Sequence, residues 1–175
     1  GWFNKSLFAV KDPATGAVAL DVDEFPRHGT TLEALSQLQA AFVQMGDFLR
    51  YAMGAAVKAG LKKVVIGGMV GKLTKMAQGE TITHANRNPV DTELLADIAA
   101  GMGVDAAICA DIRSAETARY ASERMEALGL SVEFHAVLAE RVIETLATRY
   151  PQQFFIRVLV CDFDGNRITE ASGNA

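Results

Sequence analysis

The sequence contains few cysteines, no excess of positive charge and no long hydrophobic run. Cys109 and Cys161 form neither a C-x-x-C pair nor a Cys/His spacing, so we expect buried free thiols, typical of a reducing cytoplasm, and no structural zinc site. A formal net charge of −4 argues against a nucleic-acid partner, for which a basic face is expected. No apolar stretch reaches membrane-spanning length and we identify no signal peptide, so we expect a cytoplasmic protein without a membrane partner.

The composition is that of one globular domain. The chain has 175 residues, of which 50% are hydrophobic and 22% charged, which is enough for a single core. We expect one α/β domain over residues 1–175, made of a β-hairpin segment at 1–23 and an α/β core at 24–175. The chain contains no internal repeat and no low-complexity tract.

The order of the patterns predicts the fold class. Helix, strand, glycine-rich loop and helix follow one another, which predicts an α/β fold: a mainly parallel sheet flanked by helices, with a small N-terminal β-hairpin. Residues 154–163 are apolar on both faces and predict a central strand. Asp164-Gly165 predicts a hairpin-like turn after it. Residues 42–59 predict a helix, whereas residues 106–110 fit either a strand or a helix.

Residues 64–84 bring together groups that are suited to binding a ligand. A short β-branched strand at 64–66 leads to a predicted turn at Gly67-Gly68 and then to Gly71 and Lys72. Lys75 lies three residues after Lys72, on the same face of the helix predicted at 73–77. Glycines let a ligand approach backbone N–H groups, and a helix N-terminus favours an anion. The stretch therefore predicts an anion-binding site at the carboxyl end of a strand. Its spacing matches neither the Walker A loop nor G-x-G-x-x-G.

The same groups also have structural interpretations. Glycines can serve packing alone, and lysines on a surface helix are ordinarily solvated. His84 follows Thr83 in a predicted loop, which favours a proton acceptor or a substrate contact over core filling. Asp47 interrupts the apolar helix predicted at 42–59 and is a candidate ligand contact. His135, at a predicted helix start, is expected to be structural.

The amino-acid sequence of this stretch resembles that of a known family. Gly71-Lys72-Leu73-Thr74-Lys75-Met76-Ala77-x-Gly79, followed by Thr83-His84, resembles the G-K-L-x-K-x-A-x-G…T-H segment of the cobalt-precorrin-5B C1-methyltransferase family, enzymes of anaerobic cobalamin biosynthesis. Residues 43–48, 90–99 and 158–171 also look similar to that family. The resemblance covers most of the chain after about residue 23.

The resemblance implies S-adenosylmethionine as methyl donor and a corrinoid substrate, methylated at carbon 1, that carries the cobalt; no protein metal site is implied. It implies His84 as the catalytic residue that manages a proton or orients the tetrapyrrole. The implied substrate- and cofactor-binding residues are Gly67, Gly68, Gly71, Lys72, Lys75, Thr83, Arg87 and Asp47. Among these, the lysines and Arg87 are expected to hold substrate carboxylates.

The chain departs from that family in length. Family members are considerably longer, a Thr/Gly/Ala-rich N-terminal segment is absent, and the chain begins at Gly1. We therefore expect the C-terminal part of such an enzyme, with the missing N-terminal half or a second copy as partner. Two alternatives stay open: an α/β enzyme acting on another anionic metabolite, and a non-catalytic binding or oligomerisation domain. A large exposed apolar patch on the sheet would favour the second.

Overall fold

A computed structural model describes residues 10–11, 18–20, 45–83 and 88–175. The chain divides into two compact units, residues 1–44 and 45–175. In the first unit β1 (Val10–Lys11) pairs antiparallel with β2 (Val18–Leu20). The rest of the hairpin segment predicted at 1–23, and residues 24–44, lie outside the described residues.

The described part of the second unit contains six helices and three strands, which confirms the α/β class. In chain order they are α1 (Leu49–Lys58), β3 (Lys63–Met69), α2 (Val70–Ala77), α3 (Thr92–Gly101), α4 (Ala106–Ser114), α5 (Ala118–Ala127), α6 (Ser131–Arg149), β4 (Phe155–Cys161) and β5 (Arg167–Asn174). Residues 106–110 therefore begin a helix. No described helix combines the length and the apolar character that crossing a membrane requires.

The three strands form a mixed sheet in the order β3-β4-β5, with β4 central as predicted. β4 pairs parallel with β3 and antiparallel with β5, so the expected mainly parallel arrangement holds for one of the two pairings. The antiparallel pairing follows from the turn between β4 and β5. The Asp162 carboxylate accepts hydrogen bonds from the backbone N–H groups of Asp164 (2.9 Å) and Asn166 (2.7 Å), and Gly165 has a φ of +87°. Such a short turn can join only antiparallel strands.

The core lies between one face of the sheet and helices α2 and α6. α6 packs across β4, β5 and α2. Ile156, Val158 and Val160 alternate along β4 and are fully buried on the face toward the core. A Cβ added at Gly173 on β5 would lie 3.0 Å from Cγ2 of Ile143, so a glycine there lets α6 approach the strand closely.

His135 on α6 is fully buried and structural, as the sequence predicted. Its Nδ1 lies 2.6 Å from the carbonyl oxygen of Ser131, and its Nε2 lies 3.1 Å from Oγ of Ser122. A carbonyl can only accept, so Nδ1 carries the proton and Nε2 accepts from the Ser122 hydroxyl. Burial lowers the pKa of His135, while the Ser131 carbonyl and the charge of Glu126 act in the opposite direction.

This lowered pKa predicts a loss of stability in acid. The unfolded chain binds a proton at His135 below about pH 6.5, whereas the folded chain keeps the imidazole neutral to lower pH. The contribution of the neutral His135 side chain to the free energy of unfolding is therefore fully present above that pH, and it is lost as pH falls toward the pKa of His135 in the folded chain. We expect the urea midpoint to fall between pH 7 and pH 5, and to fall less in His135→Gln, whose amide does not titrate. Equal pH dependence in both proteins would contradict this interpretation.

Candidate functional site

β3 runs directly into α2, without the turn predicted at Gly67-Gly68. The strand continues through both glycines to Met69, and the helix begins at Val70. The prediction of a glycine turn is therefore wrong. Gly67 lies opposite Leu159 and Gly68 opposite Val160 in the parallel ladder, and neither has a positive φ. Pairing with β4 thus holds these residues in extended backbone.

Gly68 serves the packing of α2 on the strand. A Cβ at this position would lie 3.1 Å from Cδ2 of Leu73, whose side chain is fully buried. Because α2 follows β3 without a loop, its first turn folds back tightly over the strand end. By contrast, a Cβ at Gly67 or Gly71 would meet nothing within 4 Å. These two glycines therefore leave open space beside the backbone, where a ligand can approach.

The start of α2 carries the two lysines of the motif in different surroundings. No side chain caps the helix at Met69, and Gly71 and Lys72 lie in its first turn. The first-turn N–H groups of a helix carry partial positive charge. Lys72 is 38% exposed and reaches solvent, whereas Lys75 is only 4% exposed among the buried residues of α2. We therefore expect Lys72 to contact a ligand and Lys75 to act through its charge.

Asp47 lies in a turn before α1 and not inside a helix, so the prediction that it interrupts a helix is wrong. Gly46, with a φ of +54°, makes this turn possible. The Asp47 carboxylate forms an ion pair with Nζ of Lys72. Its carbonyl oxygen accepts a hydrogen bond from the Thr83 N–H at 3.0 Å, and the Arg50 N–H donates to the Thr81 carbonyl at 3.1 Å. Asp47, Lys72 and Thr83 are thereby brought together.

The charges at this site favour an anion. Burial and the neighbouring charge of Lys75 lower the pKa of Lys72, and the Asp47 carboxylate opposes that change because it stabilises the ammonium form. Among Asp47, Lys72 and Lys75, the positive charges outnumber the negative one. A carboxylate brought to Lys72 would relieve the repulsion between the lysines.

The Thr83 side chain adds a polar group that the described residues do not satisfy. Thr83 is buried, and its Oγ1 has no hydrogen-bond partner within the described part of the chain. A buried hydroxyl without a partner costs about 1–3 kcal/mol, so this atom suits a ligand. His84 and Arg87, the other predicted groups of this segment, lie outside the described residues.

The sequence analysis missed the Asp47–Lys72 ion pair, which joins residues 25 positions apart and has no spacing signal. It also missed the burial of Lys75, because a motif does not show which turn of a short helix faces the core. Within the described ranges, no group of three or more His, Cys, Asp or Glu residues could hold a metal ion. The described part of the site thus offers ammonium and hydroxyl groups to a ligand.

Comparison with known proteins identifies the relatives of this chain. Residues 82–172 match the family described as CbiD, C-terminal domain. A cobalt-precorrin-5B C(1)-methyltransferase of Polaromonas sp. (strain JS666) is 70% identical over 142 residues, which cover 81% of this chain and 38% of the relative. Proteins of the same name from Variovorax paradoxus (71% identity; 76% of this chain, 36% of the relative) and Methylococcus capsulatus (64% identity; 75% and 34%) are also similar.

The chain thus spans between 34% and 38% of the length of these three relatives. No solved structure matches it significantly. The family match covers residues 82–172, and the identity to long relatives reaches 71%, which confirms the resemblance carried by the motif. The chain belongs to the CbiD family and contains its C-terminal domain.

Proposed function

We propose that this chain is the C-terminal part of an S-adenosylmethionine-dependent enzyme that methylates carbon 1 of cobalt-precorrin-5B during cobalamin biosynthesis. The observation that carries the proposal is the 70% identity over 142 residues to a Polaromonas protein of that name. The free thiols of Cys109 and Cys161 support a cytoplasmic location.

The donor supplies an activated methyl group, which a carbon nucleophile takes from the sulfonium as the carbon–sulfur bond breaks and S-adenosylhomocysteine leaves. The role of the protein in such a transfer is to align the reacting atoms and to exclude water. In this chain, Lys72 and Thr83 hold the substrate, and the open space beside Gly71 lets it approach the backbone. His84 manages a proton or orients the tetrapyrrole. The cobalt arrives with the substrate.

The two lysines of the site, Lys72 and Lys75, suit binding of the corrinoid better than binding of the methyl donor. A corrin precursor bears many carboxylates, and a lysine ammonium binds an exposed carboxylate as a point charge. The sulfonium of the donor is itself a cation, which Lys72 and Lys75 would repel. The Asp47 carboxylate, already paired with Lys72, occupies the place that we assign to a substrate carboxylate. Arg87 supplies a further cation for the same acidic substrate.

The proposal is tested with a chimera in which this chain replaces the matching part of the Polaromonas relative. With S-adenosylmethionine and cobalt-precorrin-5B, we expect S-adenosylhomocysteine and a singly methylated corrinoid in equal amounts, measured by mass spectrometry. An inactive but folded chimera beside an active parent would refute the proposed function.

Calorimetric titration with S-adenosylhomocysteine tests which ligand the chain holds. We expect micromolar binding, about −8 kcal/mol, by the chimera and none by this chain alone. Micromolar binding by the chain alone would place the donor site here and would contradict the assignment of the lysines to the corrinoid.

Asp47→Asn should tighten corrinoid binding to the chimera by up to about fivefold, because a half-buried ion pair, which solvent screening limits to about 0.2–1 kcal/mol, no longer competes for Lys72. The change is read from the dissociation constant in an absorbance titration. Asp97→Asn is the matched control, since Asp97 pairs with Arg113 on other helices and should leave the constant unchanged. Weaker binding by Asp47→Asn would instead make Asp47 a direct substrate contact.

A further inference from the structure

One face of the three-stranded sheet, here called the outer face, is turned away from helices α2 and α6. It is formed by every second residue of β3 and β4, namely Lys63, Val65, Gly67 and Met69 with Phe155, Arg157, Leu159 and Cys161. Val65 is 59% exposed, and Met69 and Phe155 are each 42% exposed. The opposite face of the same strands is buried in the core. The outer face is therefore an apolar surface of the kind that the sequence analysis associated with a binding role.

The strand register makes this apolar surface continuous. Gly67 lies opposite Leu159, and Met69 lies opposite Cys161, so the exposed groups of β3 adjoin apolar groups of β4. Arg157 is the one charged residue of β4 on this face, and its guanidinium donates to Glu170 on β5. The charge is thus drawn toward the β5 side, away from β3.

The two edges of the sheet differ in their protection. β3 and β5 each pair on only one side among the described strands. β5 carries Arg167 and Glu170, which form an ion pair at 2.9 Å, together with other polar residues. Charged side chains on an edge strand oppose pairing with another strand. β3 has one charged residue, Lys63 at its start, followed by exposed Val65 and Met69. Within the described part of the chain, β3 is therefore the edge that is open to a further strand.

We propose that the outer face and the β3 edge together are the docking surface for the part of the family protein that lies beyond this chain's match. In the Polaromonas relative the match covers 38% of the length, and the larger remainder of that protein supplies the partner. Purely parallel sheets are ordinarily covered on both faces, and β3 and β4 form the parallel part of this mixed sheet. The occupant adds a strand beside β3 and buries Val65, Met69 and Phe155.

A docked segment that belongs to the same chain is also favoured over a second copy of the chain. Two segments joined in one chain meet at an effective concentration of about millimolar, which favours the internal contact over association of separate molecules. The inference rests on family membership and on the sheet. It does not depend on the proposed methyl transfer.

Amide hydrogen exchange tests the proposal on intact proteins, comparing this chain with the full-length Polaromonas relative. We expect about half of the β3 amides, those that point away from β4, to exchange rapidly in this chain and to be strongly protected in the relative. The amides of β5, the polar edge, are the internal control and should exchange alike in both. Rapid exchange of the same β3 amides in both proteins would overturn the proposal.

Protection of the same β3 amides when this chain is measured by itself would also overturn the proposal. A dilution series would then show which partner covers the β3 edge. Protection that disappears on dilution would identify a second copy, and protection at every concentration would identify a segment of the same chain.

A matched pair of substitutions provides an independent measurement. Val65→Gln should leave the urea midpoint of this chain unchanged and should lower it when made at the aligned position of the relative. Val132→Gln, at a similarly exposed position on α6, should lower neither. Equal small effects of Val65→Gln in both proteins would count against docking at this face.

Discussion

Lys72→Gln should weaken corrinoid binding to the full-length chimera by about 2- to 100-fold, since a hydrogen bond to a charged group contributes about 1.5–3 kcal/mol, the ion pair with Asp47 that it replaces contributes about 0.2–1 kcal/mol, and each 1.4 kcal/mol is tenfold. The expectation follows from the position of Lys72. Its ammonium lies in the first turn of α2, reaches solvent and is now paired with the Asp47 carboxylate, which a substrate carboxylate can replace. The amide of glutamine keeps much of the side-chain length and removes the charge.

The measurement for Lys72→Gln is the dissociation constant of the corrinoid together with KM and kcat. We expect KM to rise much more than kcat falls, because the lysine binds a carboxylate away from the reacting carbon and so contributes equally to ground and transition states. Lys58→Gln is the control, since Lys58 ends the ten-residue helix α1, about 15 Å along its axis from the turn that holds Asp47. An unchanged constant for Lys72→Gln would remove the lysine from the site.

Sequence patterns predicted the elements whose signal is local. β4 was expected as a central strand from its apolar residues on both faces, and the turn at Asp164-Gly165 was expected from its residue types. Both are confirmed because period and turn chemistry act within a few residues. The direction of β5 relative to β4 follows from the same turn, which limits the pairing to antiparallel. The prediction of a mainly parallel sheet gave that turn too little weight.

The site shows where local patterns stop being sufficient. Gly67 and Gly68 have the residue types of a turn, yet pairing with Leu159 and Val160 of a strand about 90 residues later in the sequence holds them extended. Propensity is a weak preference that such tertiary pairing overrides. Asp47 was recognised as unusual, but its partner was not, because an ion pair between distant residues leaves no periodic trace. The motif therefore predicted the candidate groups, and only the fold shows which of them meet.

The largest stability effect that we expect around the motif is that of Leu73→Ala, a loss of about 2–5 kcal/mol in the free energy of unfolding. Leu73 is fully buried where α2 folds back on β3, and its side chain lies over Gly68. Truncation leaves a cavity under the turn that positions Lys72, so binding should weaken together with stability. Urea unfolding of this chain gives the value, and Val132→Ala, at an exposed position, should change it by less than about 0.5 kcal/mol.

A double-mutant cycle then tests the contact that explains Gly68. In the parent chain, Gly68→Ala places a Cβ 3.1 Å from Cδ2 of Leu73, closer than ordinary contact, so the buried leucine must shift and stability should fall. In Leu73→Ala that leucine atom is gone, and Gly68→Ala should cost less or even stabilise the chain by filling part of the cavity. We expect a coupling of about 0.5–3 kcal/mol between the two substitutions. Additive effects would mean that contact with Leu73 is not the reason why residue 68 is a glycine. The direct continuation of β3 into α2 would then need another explanation.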